Sequence, residues 1–403
     1  MPSAFLHPYA KPTRDQFIRI VRGEGALLWD ADGNQLIDGM GSLWYCAVGH
    51  GRAEIADAVF AQMKQLEAYS CFDPFTNDPA EALAAELHDI APMEDSRVFF
   101  CCSGSEAVDS AMKLARVAHA QAGQPQRKLI ISRGRGYHGV AYGGTSAQGI
   151  APNKEHFGPF VDGVVQVPAD DLEALATLMS QRGNEVAAVI TEPVQGAAGI
   201  YPPGEGYLEG LRKLCDQHGA YLIFDEVITG FGRLGHWFAS HRFGVRPDLV
   251  TFAKAVTSGY QPLGGVFVGP SPRAGLEADP EFFLRHGFTY SGHPSACAAG
   301  LANLAIIRRE GLVERAVHVG NRLRDGFQAL ADDGVIDHTR GDGAMWAAAL
   351  RADQSAVAMR DAMLRNGVIT RAINTDSLTF CPPLVITDGE IDKIVDVLSD
   401  AAK

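Results

Sequence analysis

Between about residue 97 and residue 270 short apolar runs alternate with helical patterns, and this alternation limits the fold more than any other feature. The runs are Arg97-Val-Phe-Phe-Cys, Lys128-Leu-Ile-Ile-Ser, Ala187-Ala-Val-Ile-Thr, Ala220-Tyr-Leu-Ile-Phe, Asp248-Leu-Val-Thr-Phe and Gly265-Val-Phe-Val-Gly. Stretches at helical spacing, such as Asp171–Gln181 and Tyr207–His218, lie between them. Strands apolar along their whole length are buried on both faces, and helices between them favour parallel pairing. The expected class is therefore α/β, a mostly parallel sheet flanked by helices, with a smaller α+β domain. The first forty residues and the last hundred supply that second part. Gly25–Asp38 reads as a β-hairpin around Asp32-Gly33. Beyond it a long helix is expected from about Ala296 to Glu310, then another, then candidate strands Trp346–Leu350, Gly367–Ala372 and Leu378–Cys381. The division expected is residues 1–45 and 291–403 in the small domain and 46–290 in the large one.

The 403 residues are enough for two such domains, and 46% hydrophobic against 21% charged residues is ordinary for a globular protein. A formal net charge of −13 argues against nucleic acid or an anionic membrane as partner. No apolar run approaches the roughly 20 residues of a membrane span, and the first residues show no basic or apolar leader. Seven cysteines, an odd number with Cys101 and Cys102 adjacent, read as reduced thiols of a cytoplasmic protein. Metal-ligand spacings such as Cys-x-x-Cys and His-Glu-x-x-His are missing from the sequence, so no metal is expected.

Asp225 and Lys254 each follow an apolar run, in Phe-Asp-Glu-Val (224–227) and Phe-Ala-Lys-Ala-Val (252–256). Both are expected at the C-terminal ends of strands, where open α/β sheets hold ligands. A carboxylate and an amine in one crevice suit pyridoxal 5′-phosphate (PLP): its aldehyde takes a lysine in a Schiff base, and its pyridine nitrogen takes an anion. Taken singly, Asp225 reads as a helix cap and Lys254 as a solvated loop residue. Ser103-Gly104-Ser105 opens a helical pattern running through Val108, Ala111, Met112, Ala115 and Ala118. The turn offers free N–H groups and two hydroxyls to a phosphate, or it is a plain N-cap. Gly134-x-Gly136-x-x-Gly139 matches a dinucleotide fingerprint, but Val140-Ala-Tyr-Gly-Gly is expected to break any helix there. Tyr137 and His138 are better read as aromatics placed over a flat cofactor ring.

Six ordered motifs resemble the class III aminotransferases, PLP enzymes of fold type I. They are Ser-Gly-Ser-Glu-Ala (103–107), Tyr-His-Gly (137–139), Glu-Pro-Val-Gln-Gly (192–196), Asp-Glu-Val-Ile-Thr-Gly-Phe-Gly-Arg (225–233), Lys-Ala-Val-Thr-Ser-Gly-Tyr-Gln-Pro-Leu-Gly (254–264) and Phe-Thr-Tyr-Ser-Gly-His-Pro (288–294). The resemblance implies that Lys254 carries PLP, Asp225 pairs with the ring nitrogen, Val227 packs beneath the ring and Tyr137 stacks above it. It implies that Ser103, Gly104 and Ser105 hold the phosphate. Thr289 is similar to a threonine reaching the partner subunit's phosphate, so a homodimer with shared sites is implied.

Within the family the pattern resembles the β-alanine/amine:pyruvate ω-transaminases. The glutamate-using branch has glutamine where this chain has Ile228, and ornithine-type enzymes place a gating glutamate where it has Ala197. Small Ala197 and the aromatic pair Trp44-Tyr45 would leave an apolar pocket, and Arg371 matches the arginine that takes substrate carboxylates, a role its planar fork suits. Asp376 stands close enough in sequence to compete for it. The implied reaction moves an amino group from an amine or ω-amino acid to pyruvate or a similar 2-oxo acid, by a ping-pong route through a pyridoxamine form of the cofactor. The alternatives on the same scaffold are a glutamate/2-oxoglutarate enzyme, a decarboxylating transaminase or an aminomutase.

Overall fold

A computed structural model of the protein describes residues 4–402; Met1–Ser3 and Lys403, the ends of the expected small domain, lie outside the described residues. Strands β1 (Ile20–Glu24), β2 (Leu27–Asp30) and β3 (Gln35–Asp38) come first. Next are β4 (Arg97–Cys101), β5 (Leu129–Arg133), β6 (Val164–Val167), β7 (Val186–Thr191), β8 (Tyr221–Asp225), β9 (Leu249–Phe252) and β10 (Gly264–Val268). The C-terminal part adds β11 (His338–Asp342), β12 (Met345–Ala349), β13 (Val368–Ile369), β14 (Arg371–Ile373) and β15 (Ser377–Phe380).

Seven strands make the central sheet in the order β4-β10-β9-β8-β7-β5-β6. Pairing is parallel from β9 through β8, β7 and β5 to β6, and β10 alone runs against its neighbours β9 and β4. The reversal has a length cause. Only Ala253–Leu263 separates β9 from β10, too short for a helical crossover to a parallel neighbour. Strands β7, β8 and β9 are buried at every residue, as their unbroken apolar runs require. The edge strand β6, Val-Val-Gln-Val, is only partly buried and carries a polar residue, so it gives no such run.

Helix Gly104–Gln121 packs against this sheet through Ala107, Val108, Ala111, Met112, Leu114, Ala115 and Ala118, all buried. The hairpin around Asp32-Gly33 forms as its sequence predicts, and β1 extends it. Two expectations are corrected. Gly367–Ala372 is not one strand: β13 joins β3 in the N-terminal sheet, while β14 pairs with β15 in the C-terminal sheet. The chain changes sheets at Thr370, whose hydroxyl donates to the carbonyl of Thr379 at 2.9 Å. The Gly143-Gly144 pair does not break a helix: Tyr142–Ala147 is helical. Asp109 accepts from the N–H groups of both glycines, at 3.3 and 2.9 Å, supplying at the first turn what the sequence pattern lacks. All seven cysteines are free thiols, and among the described residues no helix is long and apolar enough to cross a membrane.

Candidate active site

Strands β8 and β9 lie side by side and parallel, with Asp225 paired to Thr251 in register. Asp225 therefore ends one strand at the same level as the turn, Lys254–Val256, that follows the other. Lys254 holds φ 49, a left-handed backbone that turns its side chain away from a regular strand course. Both groups face a cleft of about 170 Å³ that Ser105, Tyr137, His138, Glu192 and Ile228 also line. Burial pushes the Lys254 amine below its ordinary value, against the opposing pull of Asp225 and Glu192. A buried amine of this kind gives up its proton readily, as a nucleophile or base must.

Asp225 is fixed on both oxygens. Oδ1 accepts from the Thr251 hydroxyl at 3.1 Å and the Val227 N–H at 3.2 Å. Oδ2 stands 2.8 Å from Nδ1 of His138, whose ring is fully buried. His138 is expected beside Tyr137 over a cofactor ring; its imidazole instead rests on the Asp225 carboxylate. Its other nitrogen, Nε2, is buried without a partner.

Helix Gly104–Gln121 ends its N-terminus in the same cleft. Ser103 is its N-cap, accepting from the Glu106 N–H at 3.2 Å, while Cys102 N–H donates to Glu106 at 2.7 Å. The plain-cap reading of Ser103 thus holds for its hydroxyl's acceptor side. The first N–H groups of the helix and the positive end of its dipole remain for an anion. A Cβ on Gly104 would stand 3.0 Å from a Val227 methyl, so a larger residue there would press on that side chain. Ser105 accepts from the Val140 N–H at 3.0 Å, which fastens the segment after Tyr137 over the helix start.

Glu192 carries more of this architecture than its sequence suggests. Fully buried at the end of β7, it accepts from the Tyr137 N–H at 2.8 Å and from the Gly196 N–H at 3.0 Å. Burial pushes its carboxyl up. It ties the loop bearing Tyr137 to the loop bearing Ala197. Only a Glu-Pro step directly after a fully buried strand could have signalled it. Tyr9, from the N-terminal segment, hydrogen-bonds the Tyr137 hydroxyl, and burial together with that bond holds the Tyr137 phenol above its ordinary range.

Trp44 is buried, with φ 69, among Met40, Val194, Ile200, Ile228 and Met345. Ala197 is half-buried in the turn after Gly196. Arg371 opens β14 and is half-buried; its charge acts on both the Tyr137 hydroxyl and the Lys254 amine. Among the described residues it has no ion-pair partner. Asp376 does not take that place, accepting instead from the Ser377 hydroxyl at 2.8 Å. Thr289 lies in an exposed turn.

The fold and this donor set define an enzyme that works with a phosphate-bearing pyridine aldehyde. The residues present fit PLP: an anchored carboxylate for its ring nitrogen, a helix N-terminus for its phosphate, a buried amine for its aldehyde. The comparisons agree. The family model for aminotransferase class III matches residues 9–402. The chain is 37% identical over 405 residues to the putrescine–pyruvate aminotransferase of Pseudomonas aeruginosa, covering 93% of this chain and 88% of that enzyme. It is 36% identical over 412 residues to the diaminobutyrate–2-oxoglutarate transaminase of Halomonas elongata, with coverage of 93% and 88%. An amine transaminase from an uncultivated Pseudomonas species, in its PLP-bound form, superimposes with a TM-score of 0.94 at 36% identity, covering 100% of this chain and 98% of that one. The chain belongs to the class III aminotransferases. Pyridoxal 5′-phosphate is the cofactor expected of the family.

Proposed function

We propose that this aminotransferase takes its amino group from an amine or ω-amino acid and delivers it to pyruvate. The observation that carries the proposal is Arg371: a half-buried guanidinium whose charge reaches both Tyr137 and Lys254, without an acidic partner among the described residues. A free fork beside the reactive amine suits the carboxylate of a small oxo acid. The wall nearby is apolar. Ile228 packs so closely on the Ala197 loop that a Cβ on Gly196 would stand 2.7 Å from its Cδ1. That wall suits the apolar carbon chain of an amine donor, and the Pseudomonas aeruginosa relative is named for putrescine and pyruvate.

In this reading Lys254 carries the cofactor and, once released, moves the proton at the reacting carbon. Asp225, held by Thr251, Val227 and His138, keeps the ring nitrogen protonated. Gly104 and Ser105 take the phosphate with Ser103 capping behind them, Val227 and Tyr137 enclose the ring, and Trp44, Ala197 and Arg371 shape the substrate side. Bound PLP supplies the electron sink and the carrier for the amino group. The test of the acceptor is a panel of initial rates with one amine donor. Pyruvate is expected to exceed 2-oxoglutarate in kcat/KM by about tenfold or more, the effect of roughly one well-placed contact. A preference for 2-oxoglutarate overturns the assignment, and the Halomonas elongata relative is the reason to include it.

The working unit proposed is a homodimer with shared sites. Tyr69, Phe72, Phe75, Phe283, Leu284 and Tyr290 are large apolar residues left exposed, and exposed Thr289 lies beside the last of them. Phe72, Phe75, Phe283 and Leu284 line one groove, and exposed apolar surface of this kind suits a partner of the same chain. The two-domain division, 46–290 against 1–45 with 291–403, is proposed on the pairing of β13 with the N-terminal strand β3.

A further inference from the structure

The loop from Gln195 to Tyr201 is closed on itself, each of these residues donating its N–H to the other's carbonyl at 3.1 and 2.8 Å. Inside it Gly199 has φ 131 and Ile200 φ 57, an uncommon backbone for a β-branched residue. Such a conformation persists only where the surroundings impose it. The surroundings here are the apolar cluster that buries Ile200 and, beside it, two arginines around Tyr201. Arg135 and Arg340 each hold their guanidinium carbon 4.4 Å from the centre of the Tyr201 ring. Arg340, on β11, also donates Nε to the Gly199 carbonyl at 3.0 Å and Nη2 to the Ser377 hydroxyl on β15 at 2.8 Å. Arg135 pairs with Asp170 and precedes Tyr137 by two residues.

Arg340 and Arg371 stand in one row across the C-terminal sheet. Arg340 faces Ala347, Ala347 faces Thr379, and Thr379 faces Arg371. The strands at the two edges of that sheet therefore carry one arginine bound to the Ala197 loop and one whose charge reaches Tyr137 and Lys254. We infer that Arg340 is a positioning residue: through Gly199 and Tyr201 it fixes the Ala197 loop relative to the sheet that bears Arg371, and so sets the space in which a substrate carboxylate meets Arg371. The inference rests on the reading of Arg371 as the carboxylate anchor.

The PLP-loaded variants Arg340→Gln, Arg340→Lys, Tyr201→Ala and Arg371→Ala test it, with β-alanine as a donor bearing a carboxylate and 1-phenylethylamine as one without. Arg340→Gln and Tyr201→Ala are each expected to raise the β-alanine KM about tenfold while kcat moves less than about threefold. Amide hydrogen exchange at residues 196–200 should quicken in both. Arg340→Lys keeps the charge but cannot hold Gly199 and Ser377 with one planar fork, so it should behave like the glutamine variant. The KM for 1-phenylethylamine should move less than about threefold in all of them. A β-alanine KM that rises in Arg371→Ala but not in the Arg340 or Tyr201 variants overturns the positioning role and leaves Arg371 standing. A KM that stays flat in Arg371→Ala overturns the Arg371 reading itself, and the inference with it.

Discussion

Nδ1 of His138 stands 2.8 Å from Oδ2 of Asp225, and both side chains are buried. The imidazole thus orients the carboxylate that would face the ring nitrogen of the cofactor, and Thr251 and Val227 hold its other oxygen. Removing Asp225 takes away the charge; removing His138 leaves the charge and loosens it. Asp225→Ala should lower kcat/KM by about 10²–10³, the scale of a lost electrostatic stabiliser, and His138→Ala by about tenfold. PLP affinity measured by fluorescence should fall in the same order. A His138→Ala enzyme as weakened as Asp225→Ala would show that the histidine does more than orient.

Lys254 gives a stability signature independent of turnover. Its folded-state pKa is depressed by burial, so between that value and the ordinary lysine range the unfolded chain binds more protons than the folded one. That contribution therefore destabilises the cofactor-free protein at neutral pH and vanishes as pH rises to the ordinary lysine range. Lys254→Met, which keeps the length without the charge, should melt above the wild-type apoprotein at pH 7. The gap should close toward pH 10. A gap independent of pH would mean that packing, not charge, distinguishes the two.

Two adjacent glycines in the helix after Tyr137 should differ in tolerance. A Cβ on Gly144 would stand 2.0 Å from the carbonyl oxygen of His138, a backbone atom tied to the site. On Gly143 it would meet the carboxylate end of Asp109 at 2.5 Å, which can swing aside. Gly144→Ala is expected to cost about 2–4 kcal/mol by thermal or urea unfolding, and Gly143→Ala about 1–2 kcal/mol. The reverse order would place the tight packing elsewhere.

Shared sites can be tested by mixing. If Thr289 serves the partner's phosphate, a Lys254→Ala subunit and a Thr289→Ala subunit are each inactive or impaired alone. Their heterodimer assembles one site with both wild-type residues. Refolding equal amounts together should recover about one quarter of wild-type sites, from half the dimers with one good site each. Recovery no greater than the sum of the separate activities would put Thr289 outside the partner's site.

The parts of this molecule that follow from local pattern were legible in its sequence. Buried strands β7, β8 and β9 announce themselves as unbroken apolar runs, and with them the placement of Asp225 and Lys254 at strand ends. What escaped depends on partners far along the chain. The helix at Tyr142–Ala147 needs Asp109, the place of His138 needs Asp225, and Arg340 is defined by Gly199, 141 residues away. The break between β13 and β14 falls at Thr370, inside one short strand-like stretch, because each half serves a different sheet, which spacing alone does not encode.

The first measurement is the visible spectrum of the PLP-loaded protein on adding alanine, then separately glutamate, with no acceptor present. A pyruvate-type transaminase loses the cofactor's visible band with alanine, yields pyruvate and pyridoxamine phosphate in equal amounts, and leaves the band largely intact with glutamate. Loss of the band with glutamate while alanine leaves it unchanged would contradict the assignment and place the enzyme among those using 2-oxoglutarate.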